Sequence, residues 1–278
     1  MEHKLVRKSN FLIEASYKLS LMEQRIVMIL ASMIKPNDDE FKKYPLNIKE
    51  FATLLELKHK DEYSQVQLVT KKLLTRAFTI RMSDATLQIG WLSSAKYLDG
   101  QGIVELCFDP QLKPYLLQLK DRFTSYRLKN VIQLKSSFSI RIYELLKQYE
   151  KIGERIFFVD NLRDQLGLEE HQYKLYGDFK RKVLLVAQAE LAEKTDLSFE
   201  FEEIKMARRV GKIRFIITSQ VPLKALEEID LSDMSNIVID PQLFQLFELL
   251  PQQFQSKQSI RKTVEKAYKQ HGFDYVMR

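Results

Sequence analysis

The chain has 278 residues, 45% of them hydrophobic, and carries a formal net charge of +7 with a pI near 9.2. This length allows two domains of ordinary size, and the composition excludes an intrinsically disordered protein. No apolar run approaches the roughly 18–20 residues of a membrane span, and the N-terminus is too polar for a signal peptide. The single cysteine, Cys107, cannot form an internal disulfide. These features predict a cytoplasmic protein without membrane contact.

The positive charge is unevenly distributed along the chain. Lys and Arg exceed Asp and Glu in residues 1–220, whereas residues 221–278 are slightly acidic. A basic excess suits a polyanionic partner, but an excess of this size also occurs in ordinary soluble domains. Local clustering of cations must therefore decide between the two interpretations.

Residues 16–109 predict three helices followed by a β-hairpin. The first helix begins at a capping box formed by Ser20 and Glu23. The segment NIKEFATLLEL predicts a short second helix, and apolar spacing predicts a third from about Asp61 to Phe78. Alternating strands on either side of the turn DGQG then predict a hairpin.

Residues 136–218 repeat this order. Three apolar residues of the first short helix, Phe51, Leu55 and Leu57, recur at one constant spacing as Leu162, Leu166 and Leu168. A helix-turn-helix followed by a hairpin is the winged-helix plan, in which the second helix of the pair enters the DNA major groove. The sequence thus predicts a helix-rich α+β fold with two tandem winged-helix domains related by an internal repeat, over 1–125 and 126–220, and a short helical C-terminal extension over 221–278.

The helix YGDFKRKVLLVAQAEL gives the strongest candidate site. At about 100° per residue, one face holds the residues expected to pack on the domain, namely Phe179, Val183, Val186, Ala187 and Glu190. The opposite face holds Lys174, Asp178, Arg181, Leu185 and Gln188, with Lys182 on its flank. Arg and Gln side chains match guanine and adenine edges, which favours groove recognition over a merely solvated face.

The hairpin that follows this helix is the second candidate site. Its cations are Lys205, Arg208, Arg209, Lys212 and Arg214, and no acid lies among them. A solvated hairpin usually mixes signs, so this ribbon favours phosphate contacts or insertion into the minor groove. The first hairpin lacks the pattern.

The third helix of the first unit shows a weaker version of the same face. It presents Ser64, Gln67, Leu68, Lys71 and Thr75 outward, with Lys72 and Arg76 on the flanks. This face serves either DNA contact or packing against another subunit.

Signals of catalysis are missing from the sequence. It has neither GxxxxGK[ST] nor GxGxxG, and its four histidines form no HxH or HxxxH pair. We therefore expect a protein that is not an enzyme and that binds neither a cofactor nor a metal.

Three stretches resemble the replication initiator proteins of iteron-containing, theta-replicating bacterial plasmids. They are KSNFLIEASYKLSLMEQRIVMIL, LKSSFSIRIYELLKQYE and LYGDFKRKVLLVAQAELAEKTDLSFEFEEIK, and the resemblance spans about residues 5–220. It implies two winged helices joined by a long helix near residues 127–150. It also implies that the second domain is the main DNA reader, with Lys180, Arg181 and Lys182 on its recognition helix, and that the first serves dimerisation and auxiliary DNA contact.

The resemblance further implies an activity. Monomers of such proteins bind direct repeats in double-stranded origin DNA, bend and open it, and recruit the host helicase and initiator, while dimers repress their own gene. A winged-helix repressor without an initiator role, which needs only inverted half-sites, is the alternative. A rolling-circle nickase is a third reading, which the scattered histidines disfavour.

Overall fold

The computed structural model describes residues 4–35, 37–54, 62–81, 85–119 and 122–220. Residues Met1–Thr218 form one compact unit. The helical extension predicted for residues 221–278 lies outside the described residues, as do Leu55 and Leu57.

The first half of the chain begins with a short strand and helix that precede the predicted elements. Its helices are α1 (Asn10–Glu14), α2 (Leu21–Ala31), α3 (Ile48–Leu54), α4 (Glu62–Thr75) and α5 (Lys113–Leu116). Its strands are β1 (Leu5–Ser9), β2 (Tyr44–Asn47), β3 (Ala77–Arg81), β4 (Thr86–Gly90), β5 (Leu92–Leu98), β6 (Ile103–Phe108) and β7 (Phe123–Arg127).

The second half repeats the order of helix, strand, helix, helix and hairpin. Its helices are α6 (Leu128–Ile132), α7 (Ser137–Lys147), α8 (Val159–Gln165), α9 (Tyr176–Phe179) and α10 (Leu185–Lys194), with a π-helical segment, Lys180–Leu184, between the last two. Its strands are β8 (Glu154–Phe158), β9 (Leu197–Met206) and β10 (Arg209–Ser219). None of the helices in the described parts of the chain is both long and apolar enough to cross a bilayer.

The two winged-helix units, one in each half of the chain described above, share a sheet topology, which supports the predicted internal repeat. The first sheet has the order β2-β6-β5 and the second the order β8-β10-β9, so in each unit the strand before the second helix pairs with the last strand of the hairpin. The first unit adds the hairpin β3–β4 between its third helix and its wing. Strand β1 pairs antiparallel with β7, which fastens the N-terminus to the connector between the units.

Local capping signals position the first helix of each unit. Ser20 and Glu23 form the expected capping box at α2, in which each side chain accepts a hydrogen bond from the other residue's backbone N–H. At α7 the Ser136 hydroxyl accepts hydrogen bonds from the backbone N–H groups of Phe138 and Ser139. Both helices therefore begin where a side chain satisfies their free amides.

The long helix expected near residues 127–150 is two helices, α6 and α7, so that expectation is wrong. The break lies before Ser136. Glu190 of α10 accepts hydrogen bonds from the backbone N–H groups of Lys135 and Ser136 at 3.0 and 3.1 Å. Because these amides bond to a side chain, they do not continue the α6 ladder, and α7 starts with a new cap.

The buried guanidinium of Arg141 in α7 connects three segments of the compact unit. One terminal nitrogen, Nη2, donates hydrogen bonds to the carbonyl oxygens of Ile13 (2.8 Å), Ala15 (3.0 Å) and Gln165 (2.9 Å). The other, Nη1, donates to the hydroxyl of Tyr17. The N-terminal segment and the end of α8 are therefore held by the same side chain.

Arg141 belongs to a buried charge cluster that also contains Lys8, Glu144 and Tyr126. The Glu144 carboxylate lies 2.6 Å from the Lys8 ammonium and 3.2 Å from Arg141, and it accepts a hydrogen bond from the Tyr126 hydroxyl. Burial alone would raise the pKa of Glu144, but Lys8 and Arg141 outweigh it and hold that pKa below its usual range. The pairing makes this buried carboxylate a charged group that the fold tolerates.

Gly167 marks a close approach between the two halves. Its φ is +67°, and a Cβ at this position would lie 2.5 Å from the Tyr17 carbonyl oxygen. Only glycine combines this backbone conformation with this clearance. The loop after α8 is thus seated directly against the segment between α1 and α2.

Candidate nucleic-acid interface

The helix of residues 176–194 is α9, the π-helical segment and α10 in sequence, and it lies in the second unit. Its buried apolar side chains are Phe179, Val183, Leu184, Ala187 and Leu191. The sequence placed Val186 on this packed face, which is wrong, because Val186 is 37% exposed. The π turn inserts one extra residue into the repeat and rotates the following positions relative to a regular α-helix.

The outward face of this helix starts with two cations. The side chain of Arg181 is 71% exposed and pairs at 2.7 Å with Asp178, three residues earlier. The ammonium of Lys182 lies 5.3 Å from the centroid of the Tyr173 ring. Leu185, Val186 and Ala189 continue the same exposed face toward the C-terminus. Neither cation is held by a buried acid, so both can turn toward an anionic partner.

Lys180 and Gln188 tie the helix to strand β9 instead. The Lys180 ammonium lies 2.7 Å from a Glu203 carboxylate oxygen. The Gln188 amide donates hydrogen bonds of 3.0 Å to the Phe199 carbonyl and to the Glu200 carboxylate. These contacts orient the helix on its wing. For either residue to contact DNA, as the sequence predicts, these bonds must first break.

Lys174 lies at the entrance to the helix. It is exposed and directly precedes Leu175, the capping residue of α9. The loop before it is fixed by Arg163, which donates hydrogen bonds to the carbonyl oxygens of Gln172 (2.7 Å) and Tyr173 (2.9 Å). Lys174 therefore adds a positive charge at the end of the helix where the free N–H groups already favour anions.

The tip of the hairpin β9–β10 carries three exposed cations, Lys205, Arg208 and Arg209. Within the described ranges none of them forms an ion pair. The turn between the strands contains Ala207 at a φ of +56°, an uncommon conformation for a residue other than glycine. The strand ends thus present a cationic tip to solvent.

Arg214 and Lys212 near the base of the hairpin are engaged within the protein. Arg214 donates from Nε to Glu154 on β8 at 2.9 Å and from Nη1 to Glu202 on β9 at 3.3 Å. The hydrogen bond that Arg214 donates to Glu154, reinforced by the charge of that carboxylate, raises the pKa of Arg214. The Lys212 ammonium lies 4.6 Å from the centroid of the Phe158 ring. The segment from Lys205 to Arg214 contains no acid, but Glu202 of β9 and Glu154 of β8 supply carboxylates at the base of the hairpin.

Two of the three candidate cations in the third helix region of the first unit are exposed on α4, and the third, Arg76, directly follows that helix. Lys71 and Lys72 face solvent. Arg76 turns toward α2, where Nη1 donates to the Lys18 carbonyl at 2.6 Å and Nε lies 3.4 Å from the Glu23 carboxylate. Arg76 thus stabilises the helix pair, while Lys71 and Lys72 are available to a partner.

The described residues contain no group of three or more His, Cys, Asp or Glu side chains placed to hold a metal ion.

Models of one protein family match most of the described chain. The model described as Initiator Replication protein, WH1, matches residues 5–147, and the model described as Initiator Rep protein, WH2, matches residues 159–217. These matches confirm the predicted pair of winged-helix domains.

Curated relatives and a solved structure agree with the family match. The chain is 30% identical to the PI protein of Escherichia coli over 161 residues, which cover 52% of this chain and 53% of the relative. It is 25% identical to a replication initiation protein of Escherichia coli over 256 residues, or 79% of this chain and 80% of the relative. The crystal structure of the Pi initiator protein in complex with iteron DNA superposes with a TM-score of 0.67 at 21% identity, over 79% of this chain and 99% of that one. At this identity the superposition shows the shared fold.

Proposed function

Because this chain belongs to the family of plasmid replication initiator proteins, we propose that it binds direct repeats in double-stranded origin DNA through its second winged helix. The observation that carries the proposal is the distribution of exposed cations on that unit. Arg181 and Lys182 lie on the outward face of the helix, and Lys205, Arg208 and Arg209 lie at the tip of the hairpin. Both elements are the ones a winged helix applies to DNA.

The two cationic elements have different tasks in this proposal. Arg181 reads a guanine edge in the major groove, since its forked guanidinium matches the N7 and O6 acceptors of that base. The hairpin tip contacts phosphates or enters a narrow minor groove, where negative potential is concentrated. Phosphate contacts position the helix, and the base contact selects the sequence.

The first winged helix, within residues 1–125, provides auxiliary contact and dimerisation. Exposed Lys71 and Lys72 on α4 suit a second contact with the phosphate backbone. Leu68, which is 55% exposed on the same helix, suits a subunit contact. We assign the monomer to the origin and the dimer to repression of the protein's own gene.

Binding of several repeats leads to origin opening. A bent path brings more phosphates within reach of the two units, and these contacts offset the cost of bending. Bending next to an AT-rich segment promotes melting there, and the host helicase and initiator are recruited to the open DNA. The iteron DNA bound by the related Pi protein supports the first step, the binding of direct repeats.

The proposal is tested by footprinting the purified chain on the DNA around its own gene, followed by binding of single-base variants of the protected repeat. Arg181→Ala is expected to cost about 1–3 kcal/mol of binding free energy, and unevenly among the base variants. The exposed arginine of β7 offers a matched control, Arg127→Ala, which should leave the base preferences unchanged. Protection of inverted half-sites without direct repeats would support a repressor, and no protection at low salt would refute the proposal.

A further inference from the structure

Two aliphatic side chains lie exposed on the same face as the recognition cations. Leu185 is 42% exposed and Val186 is 37% exposed, although both belong to a helix whose other large aliphatic residues are fully buried. Apolar residues on the outward face of a DNA-binding helix have no value as phosphate contacts. Their exposure therefore calls for a partner group of another chemistry.

Leu185 and Val186 lie one helical turn beyond the two cations. Leu185 follows Arg181 by four residues and Val186 follows Lys182 by four, and all four residues are exposed. Residues four apart are neighbours on a helix surface, so the aliphatic pair extends the cationic pair by one turn. Ala189, also exposed, follows at the same step and leaves room for close approach.

We propose that Leu185 and Val186 contact the C5-methyl groups of thymines in the major groove of the bound repeat. This inference rests on the proposed function. It identifies thymine as the base that this part of the helix selects. Among the base edges of the major groove, thymine offers an apolar group, its methyl, and aliphatic side chains discriminate in its favour. The remaining edges offer donors and acceptors that Leu and Val cannot satisfy, so burying those edges against the pair carries a cost.

The charges around the pair favour DNA over a protein partner for this surface. A partner that covered Leu185 and Val186 would also cover or closely approach Arg181 and Lys182, one turn away. A DNA groove has phosphates on both walls that can pair with these cations, while the base edges between them can contact the aliphatic pair. One binding mode therefore matches both the charged and the apolar residues of this surface.

The test uses the repeat found by footprinting, with its thymines replaced one at a time by deoxyuridine. This change removes the methyl group and leaves every hydrogen-bonding atom of the base in place. For the unmodified protein, we expect the Kd to rise about three- to tenfold at one or two thymines and to stay unchanged at the others.

The same duplexes are then measured with Leu185→Ala, Val186→Ala and the control Arg181→Ala. Each aliphatic variant should bind thymine and deoxyuridine equally well at its own position, because the methyl has lost its partner, whereas Arg181→Ala should retain the full methyl effect. Circular dichroism and thermal melting verify that these surface variants fold.

Each remaining outcome is decisive. If the protein binds the thymine duplex tightly and no deoxyuridine matters, or if the methyl effect is unchanged in both aliphatic variants, the inference is overturned while the proposed function stands. If the protein binds no repeat at all, both are overturned together.

Discussion

The guanidinium carbon of Arg141 lies 3.9 Å from the centroid of the Tyr17 ring, although the two residues are 124 positions apart in sequence. The same guanidinium reaches the carbonyl of Gln165 at the end of α8. One side chain thereby connects the N-terminal segment to two helices of the second winged helix, α7 and α8. The compact unit depends on this connection because three backbone carbonyls have Arg141 as their donor.

Replacing Arg141 tests this dependence. Arg141→Met is expected to lower the free energy of unfolding by about 3–5 kcal/mol, because it breaks a buried charge pair and leaves buried acceptors without donors. Arg141→Lys keeps the charge but cannot donate in several fixed directions, so it should also destabilise the fold. Urea denaturation of each variant measures the loss.

The control for this experiment is Arg127→Met, which changes an exposed arginine on β7. Its effect should stay within about 0.5 kcal/mol. A loss for Arg141→Met no larger than that of the control would show that the buried cluster is not what holds the segments together.

Stability should fall in alkaline solution because of buried tyrosines. Burial raises the pKa of Tyr17, Tyr126 and Tyr143 above the ordinary value of 10.0. The folded chain keeps these protons where the unfolded chain releases them, so their contribution is intact below pH 10 and is lost as the pH rises above it. Lys8, whose pKa burial lowers, acts in the opposite direction but is outnumbered.

Tyr126→Phe isolates one of these contributions. Above pH 10 the decline of its unfolding free energy should be shallower than that of the unmodified protein by up to about 1.4 kcal/mol per pH unit. Urea denaturation at pH 9, 10 and 11 measures both declines. Parallel declines would show that the Tyr126 hydroxyl releases its proton without unfolding.

The cations at the tip and at the base of the hairpin should differ in how much they contribute to the salt dependence of DNA binding. Neutralising Arg208 and Arg209 together should lower the slope of log K against log salt by about 2, because each phosphate contact contributes about 0.9. Arg214→Ala should leave the slope unchanged, since Glu154 and Glu202 already neutralise that residue. Binding titrations between 50 and 200 mM salt, roughly the range over which phosphate contacts lose most affinity, measure the slopes. Equal slopes for all variants would place the tip in solvent.

Asp178 restrains the recognition cation, and its removal should strengthen binding. The carboxylate pairs with Arg181 on an exposed face, where it also repels phosphates. Asp178→Asn is expected to tighten binding about three- to tenfold at low salt, with less gain as salt rises. The exposed acid of the first hairpin provides the control, Asp99→Asn. Unchanged affinity for Asp178→Asn would mean that Arg181 lies away from the DNA.

Gly167 should resist substitution far more than Gly177. Gly167→Ala is expected to lower the free energy of unfolding by roughly 2–4 kcal/mol, from its left-handed backbone and its contact with Tyr17. Gly177 in α9 has open space around it, so Gly177→Ala should stabilise the chain by up to about 1 kcal/mol. Denaturation midpoints compare the two, and equal effects would contradict the close approach.

The sequence was sufficient for features that arise from local pattern. The capping box of Ser20 and Glu23, the repeated order of elements and the hairpin of the second unit all follow from sequence pattern, and the structure bears these out. These signals lie within one or two helical turns, which is the range over which side-chain periodicity is informative.

The features that sequence reasoning missed depend on distant residues or on a departure from regular geometry. Arg214 appears free in a ribbon without acids, but Glu154 reaches it from β8, 60 residues away. Val186 appears buried because a regular helix was assumed, and the π turn moves it outward. The cluster around Arg141 joins segments whose proximity no local pattern encodes.

The helix of residues 176–194 keeps its exposed strip apart from its packed strip, and for the proposed DNA contact this separation has an evolutionary consequence. Positions 181, 182, 185, 186 and 189 are all exposed and none belongs to the buried core, so exchanges there disturb the interior little. A lineage can thus acquire a new target repeat in a few surface steps on an unaltered scaffold. Related replicons in one cell can thereby diverge until the initiator of one no longer binds the repeats of the other.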